Sequence, residues 1–142
     1  FNRVIRNRKQ GKNTWIYIDE IYLLFQHEYS ANFLFTLWKR VRKYGACATG
    51  ITQDVGDLLE SHTARTMLAN SEFLVMLNQA ATDRVDLARL LSISDNQLSY
   101  ITNVDFGHGL IKCGSAIVPF MDSFPKHTQL YKLMTTKPNE KF

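Results

Sequence analysis

Thr14-Trp15-Ile16-Tyr17-Ile18-Asp19-Glu20 is the stretch that decides the fold. Its first five residues are all aromatic or β-branched and follow one another without a break. A run so short and so apolar predicts a buried strand rather than a surface helix. The run then stops abruptly at two carboxylates.

Working outward, Asn2–Arg8 sets Val4 and Ile5 among arginines and reads as the end of a helix. Lys9–Asn13 (KQGKN) reads as a turn. On the other side, Phe33, Leu34, Leu37, Trp38, Val41 and Tyr44 recur at helical spacing. Ser30 is the expected N-cap and Gly45 the expected residue past the C-terminus. The cations Lys39, Arg40, Arg42 and Lys43 fall in the last turns, where they complement the helix dipole. Ala46–Thr52 is a second short strand, and Asp54–Asn70 holds one or two short helices. Phe73–Leu77 is a third strand, and Thr82–Leu91 is a helix with Val85, Leu87, Leu90 and Leu91 inward. Ser94 and Gln97 form a capping-box pair. From Phe106 two β-rich runs meet at Gly114 as a hairpin, and the tail from Lys137 reads as frayed. Strand and helix alternate over residues 14–92, which predicts a mostly parallel, helix-flanked sheet with a small antiparallel addition.

The bulk numbers fit one globular domain. The chain has 142 residues, 45% of them hydrophobic, and a formal charge of +4. That mild excess is compatible with a phosphate-bearing ligand, an acidic partner or a membrane surface, and selects none of them. Cys47 and Cys113 each sit in an apolar run and read as buried free thiols. The histidines His27, His62, His108 and His127 lack ligand spacing to the cysteines. No apolar run approaches the ~18 residues of a membrane span. The basic N-terminus has no apolar segment of the signal-peptide kind behind it, and the chain reads as the middle of something longer.

Three features bear on chemistry. The first is the pair Asp19-Glu20. Ligands of parallel sheets bind at the carboxyl ends of the strands. An Asp there can hold magnesium through water, because magnesium is hard and keeps much of its hydration shell. The adjacent Glu can orient or deprotonate a water for attack on a terminal phosphate. This is the Walker B pattern, to be weighed against a merely solvated pair of strand-end acids. The second is Gln53, at the end of the next strand. Its amide can accept from a water and donate to a phosphate, unless it is only a loop or capping residue. The third is the basic helix end. It is either a solvated face or a set of fingers for a neighbouring subunit's phosphate, a task suited to the planar, always-charged Arg fork. Gly45–Gly50 mimics the start of a phosphate-binding loop, but Ile51 stands where that motif needs Lys. The chain contains no G-x-x-x-x-G-K-[ST].

TWIYIDEIYLLF, WKRVRKYGACATGITQDVGDLL, NSEFLVMLNQAATDR, GHGLIKCGSAIVPF and FPKHTQLYKLMTTKP occur in that order. The set resembles the C-terminal half of the type IV secretion and conjugative-transfer ATPases, from about Thr14 to Pro138. The resemblance implies a partial RecA-like P-loop core over residues 1–142, from Walker B onward, with Walker A upstream. It implies ATP and Mg²⁺ as cofactors, Asp19 for the metal, Glu20 for the attacking water and Gln53 as γ-phosphate sensor. One or more of Arg40, Arg42 and Lys43 would act across a subunit boundary. It further implies a homo-oligomer, hexameric in the full-length protein, working with other secretion-channel subunits. The expected place is the cytoplasmic face of the cell membrane, held there peripherally. DNA stays open as a partner, since the family is similar to DNA-pumping coupling proteins. The remaining alternative is a non-catalytic docking module with Trp38, Phe120, Phe124 and Tyr131 as anchors, although buried core is the expected place of each.

Overall fold

The computed structural model describes residues 1–122 and 124–137. The chain divides into two compact units, Phe1–Ser71 with Val85–Ser92, and Glu72–Arg84 with Ile93–Phe142.

In the first unit, α1 (Asn2–Lys9) leads to β1 (Thr14–Ile18), a 3-10 helix over Ile21–Phe25, and α2 (Glu28–Arg40). A 3-10 turn over Val41–Tyr44 delivers the chain to β2 (Ala46–Gly50), followed by α3 (Val55–Glu60) and α4 (His62–Ala69). β1 and β2 pair in parallel, Thr14 opposite Ala46 and Ile18 opposite Gly50. α2 buries Ala31, Leu34 and Leu37 on one stripe, and Val41 extends it past the helix end. With Ile21, Leu58, Ala64 and Met67 these side chains form the core, on which Ile16, Ile18, Ala46 and Ala48 pack from the sheet. The Trp38 indole N–H donates to Ser71 Oγ at 3.3 Å, tying α2 to the end of α4. Asp54 and Ser61 cap α3 and α4, accepting from the amides of Asp57 and Ala64.

Several expectations are corrected. The strand at 14–18 is covered on one face only: Trp15 and Tyr17 are 65% and 68% exposed on the other. Cys47 is exposed because it pairs with Trp15 on that open face. The predicted N-cap Ser30 lies inside α2, which begins at Glu28 after His27. The Ser30 hydroxyl instead donates to the carbonyls of Leu24 and His27, joining the 3-10 helix to the first turn of α2. Phe33 is exposed, and Trp38 and Tyr44 are half-buried.

The second unit contains β3 (Phe73–Met76), with the first turn of α5 (Ala81–Leu91), whose remainder belongs to the first unit. α6 (Asp95–Leu98) opens on the expected Ser94–Gln97 capping box. β4 (His108–Cys113) and β5 (Ala116–Met121) form the expected hairpin, turning through Gly114 at φ 57°. α7 (Gln129–Met134), capped by Thr128, was not foreseen from the sequence. The third strand differs from expectation. β3 pairs antiparallel with β4, Phe73 opposite Cys113, so the order is β3-β4-β5. A short apolar run states that a strand exists but carries nothing about its partner. Ile101 and Leu110 are fully buried, whereas Cys113 is exposed. Val85 in α5 is exposed, as is Phe124, while Phe120 and Tyr131 are half-buried. The frayed tail foreseen past Lys137 lies outside the described residues. No helix among the described residues is long and apolar enough to cross a membrane.

Candidate functional site

The ladder between β1 and β2 does not stop at the strand ends. The Ile51 amide donates to the Ile18 carbonyl at 2.8 Å, and the Ile21 amide returns the bond to the Ile51 carbonyl at 3.0 Å. Asp19, Glu20 and the segment 51–53 therefore leave the sheet together at its carboxyl edge. Glu20 makes the turn in the left-handed region, φ 49° and ψ 47°, a conformation unfavourable for a residue with a Cβ. Such strain persists where the surroundings over-determine it, and it concentrates at functional sites. The Asp19 carboxylate accepts the Glu20 amide through Oδ1 at 3.0 Å. No hydrogen bond or ion pair among the described residues engages Asp19 Oδ2, the Glu20 carboxylate or the Gln53 amide. Asp19 and Gln53 are exposed and Glu20 is half-buried. Beyond Gln53, Thr52 Oγ1 donates to the Asp54 carbonyl and Asp54 caps α3, so the loop returns at once to rigid structure.

This donor set suits magnesium. Among the described residues no group of three His, Cys, Asp or Glu side chains converges on one point. A magnesium ion at this edge would be held through water by the Asp19 carboxylate, with further waters and phosphate oxygens filling its shell.

The basic cluster is elsewhere. Arg40, Arg42 and Lys43 are exposed on the segment that enters β2, and hence at the amino edge of the strands. The sequence did not foresee their neighbours. Helix α1 packs on the 41–44 turn and on β1, with the rings of Phe1 and Tyr44 in edge contact at 5.1 Å. Val4 is buried, leaving Arg3, Arg6, Arg8 and Lys9 outward. With Lys12 these make one basic edge, with no acidic residue in 1–13 or 29–53. None of its cations is in a salt bridge among the described residues. The cue available in the sequence was the lack of acid throughout 1–13 and 29–53. The sham phosphate loop resolves as expected: Gly45 is a left-handed turn at φ 64° and 46–50 is strand.

A parallel strand pair backed by helices, with acid and amide groups gathered at its carboxyl edge, defines an α/β core of the RecA-like, P-loop nucleoside-triphosphatase class. Within that class the chain belongs to the TraG P-loop domain family, whose model matches residues 2–110. Among solved structures it is similar to VirB4 of Thermoanaerobacter pseudethanolicus, with 25% identity and a TM-score of 0.78 over 89% of this chain. The match takes in 35% of that VirB4 chain, so the present chain spans about a third of its relative's length. No curated protein matches the chain significantly. The two matches bear out the resemblance to the type IV secretion and conjugation ATPases.

Proposed function

We propose that this chain is the Walker B half of a motor domain whose ATP hydrolysis energises a type IV secretion or conjugation system. Channel or pilus assembly and substrate transfer are the work it would drive. The observation that carries this reading is the shared departure of Asp19-Glu20 and Ile51–Gln53 from one sheet edge, locked by the two backbone bonds beyond the strands. Asp19 would hold Mg²⁺ through water, and the ion would supply the charge that neutralises the phosphates of ATP. Glu20 orients the attacking water and takes its proton as the new P–O bond forms and the bond to the bridging oxygen breaks. Gln53 spans that water and the γ-phosphate. The phosphate-binding loop comes from outside this chain. Arg40, Arg42 or Lys43 serves the site of the next subunit in a hexamer, because its own sheet edge faces away from Asp19. The motor works with other channel subunits at the cytoplasmic face of the membrane.

The test is ATP turnover by the full-length protein with Glu20→Gln. Nucleotide binding is expected to persist while turnover drops by ~10²-fold or more, the size of a lost general base. A mutant that hydrolyses ATP like the parent removes Glu20 from this role.

A second reading is favoured by the basic edge: a motor that grips DNA directly. Duplex affinity would then fall steeply with salt, by about 0.9 in log–log slope per phosphate neutralised. A flat response rejects it.

A further inference from the structure

The Glu20 carboxylate has no partner among the described residues, so no side-chain contact holds it and the backbone turn sets the region its rotamers reach. What secures that backbone comes one residue later. The Ile21 amide is bonded to the Ile51 carbonyl, and the Ile21 side chain is buried in the first unit's core. Directly against it lies Gly50, the last residue of β2. A Cβ added at Gly50 would stand 2.6 Å from Ile21 Cδ1, 3.3 Å from Ile21 Cγ2 and 3.5 Å from the tip of the Trp38 ring. Gly50 is not among the glycines with positive φ, so its backbone does not demand glycine; the space does. The same face of β2 carries Ala46 and Ala48, so the side chains shrink to nothing at the end where Ile21 tucks in. Cδ1 ends the side chain and can turn about χ2, but Cγ2 moves only with χ1, which is stiff in a β-branched residue, and the core encloses both.

We infer that Gly50 is a positioning residue for the hydrolytic carboxylate. By carrying no side chain it lets Ile21 close against the strand end. That closure holds the left-handed turn at Glu20 and so aims its carboxylate. The inference rests on the reading of Glu20 as the residue that orients water. A methyl group at position 50 displaces Ile21 by a few tenths of an ångström or more and carries Glu20 with it. Misplacement of about 1 Å at a reacting group costs ~10²-fold in rate.

The experiment is a double-variant cycle in the full-length protein, reading turnover, nucleotide affinity and assembly. Gly50→Ala is expected to lose turnover by ~10–10²-fold while nucleotide still binds. Ile21→Val removes Cδ1, the atom the new methyl meets first. Gly50→Ala combined with Ile21→Val is therefore expected to regain most of the loss relative to Ile21→Val alone. A merely structural glycine predicts that nucleotide affinity and assembly fall together with turnover in Gly50→Ala, whereas a positioning glycine loses turnover alone. If Gly50→Ala fails to fold, the double variant is compared directly with Ile21→Val: similar rates support the inference and a tenfold deficit overturns it. Full turnover in Gly50→Ala also overturns it and leaves the reading of Glu20 untouched. Full turnover in Glu20→Gln overturns that reading instead.

Discussion

Co-assembly of two inactive variants is expected to restore activity. The perturbations are Glu20→Gln in one population of full-length protein and Arg42→Ala in another. Thr14 is opposite Ala46, and Asp19, just past the end of β1, lies five residues on from Thr14. At about 3.3 Å per residue that is ~16 Å along the strand, with Arg42 a further turn upstream of Ala46. A guanidinium cannot cross that interval, so under the proposed function the two groups of one chain would serve different nucleotide sites. Alone, the first variant is expected to lose ~10²-fold or more, and the second ~10³-fold, the lower bound for a charge supplied in trans. In an equal random mixture, about one quarter of head-to-tail junctions unite an intact Glu20 with an intact Arg42. Turnover should therefore rise to about a quarter of the parent's rate, far above either variant, with its maximum at equal mixing. The assay is phosphate release at saturating ATP across mixing ratios, with assembly followed by light scattering. The same series with Arg40→Ala and Lys43→Ala identifies the acting cation. The reasoning is refuted if fully assembled mixtures stay as inactive as their parents for all three residues, or if none of the three substitutions slows turnover.

Two further predictions concern the scaffold. Leu34 is 2% exposed at the centre of the first unit's core, so Leu34→Ala should cost ~3–4 kcal/mol there. Hydrogen exchange of the β2 amides is then expected to speed by about 10²-fold, and unchanged exchange counts against the assigned core. Gly107 has φ 83°, and a Cβ on it would fall 1.9 Å from the Asp122 carbonyl oxygen. Gly107→Ala should break the Asp122–Gly107 backbone bond and fray the β4–β5 hairpin, seen as selective loss of protection at that strand pair.

Most of the element order was legible because its signals are local. The aromatic and β-branched run at 14–18, the stripe of Leu34, Leu37 and Val41, the capping box at Ser94 and the left-handed Gly45 each follow from neighbours in sequence. Pairing was not local, and there the reading failed: Phe73–Met76 has the same texture whether its partner is parallel or antiparallel. Burial failed for a related reason. An unbroken apolar run implies two covered faces, yet Trp15, Tyr17 and Cys47 lie on one that the described residues leave open. The candidate site was legible as a list, Asp19, Glu20 and Gln53, but not as an arrangement. Nothing in the spacing foretold the left-handed turn at Glu20 or the packing of Ile21 on Gly50. The alternation Ala46-x-Ala48-x-Gly50 was the available hint that something folds tightly beneath that strand.

The open face of β1 and β2 also gives the molecule a built-in optical reporter. Of its two tryptophans, Trp15 stands in solvent on that face, whereas Trp38 is half-buried with its indole N–H bound to Ser71. Their emission should differ in colour and in sensitivity to a dissolved quencher. In this 142-residue chain carrying Trp38→Phe, the remaining tryptophan emission comes from Trp15, so a partner that covers the sheet can be watched arriving, in real time and without a label.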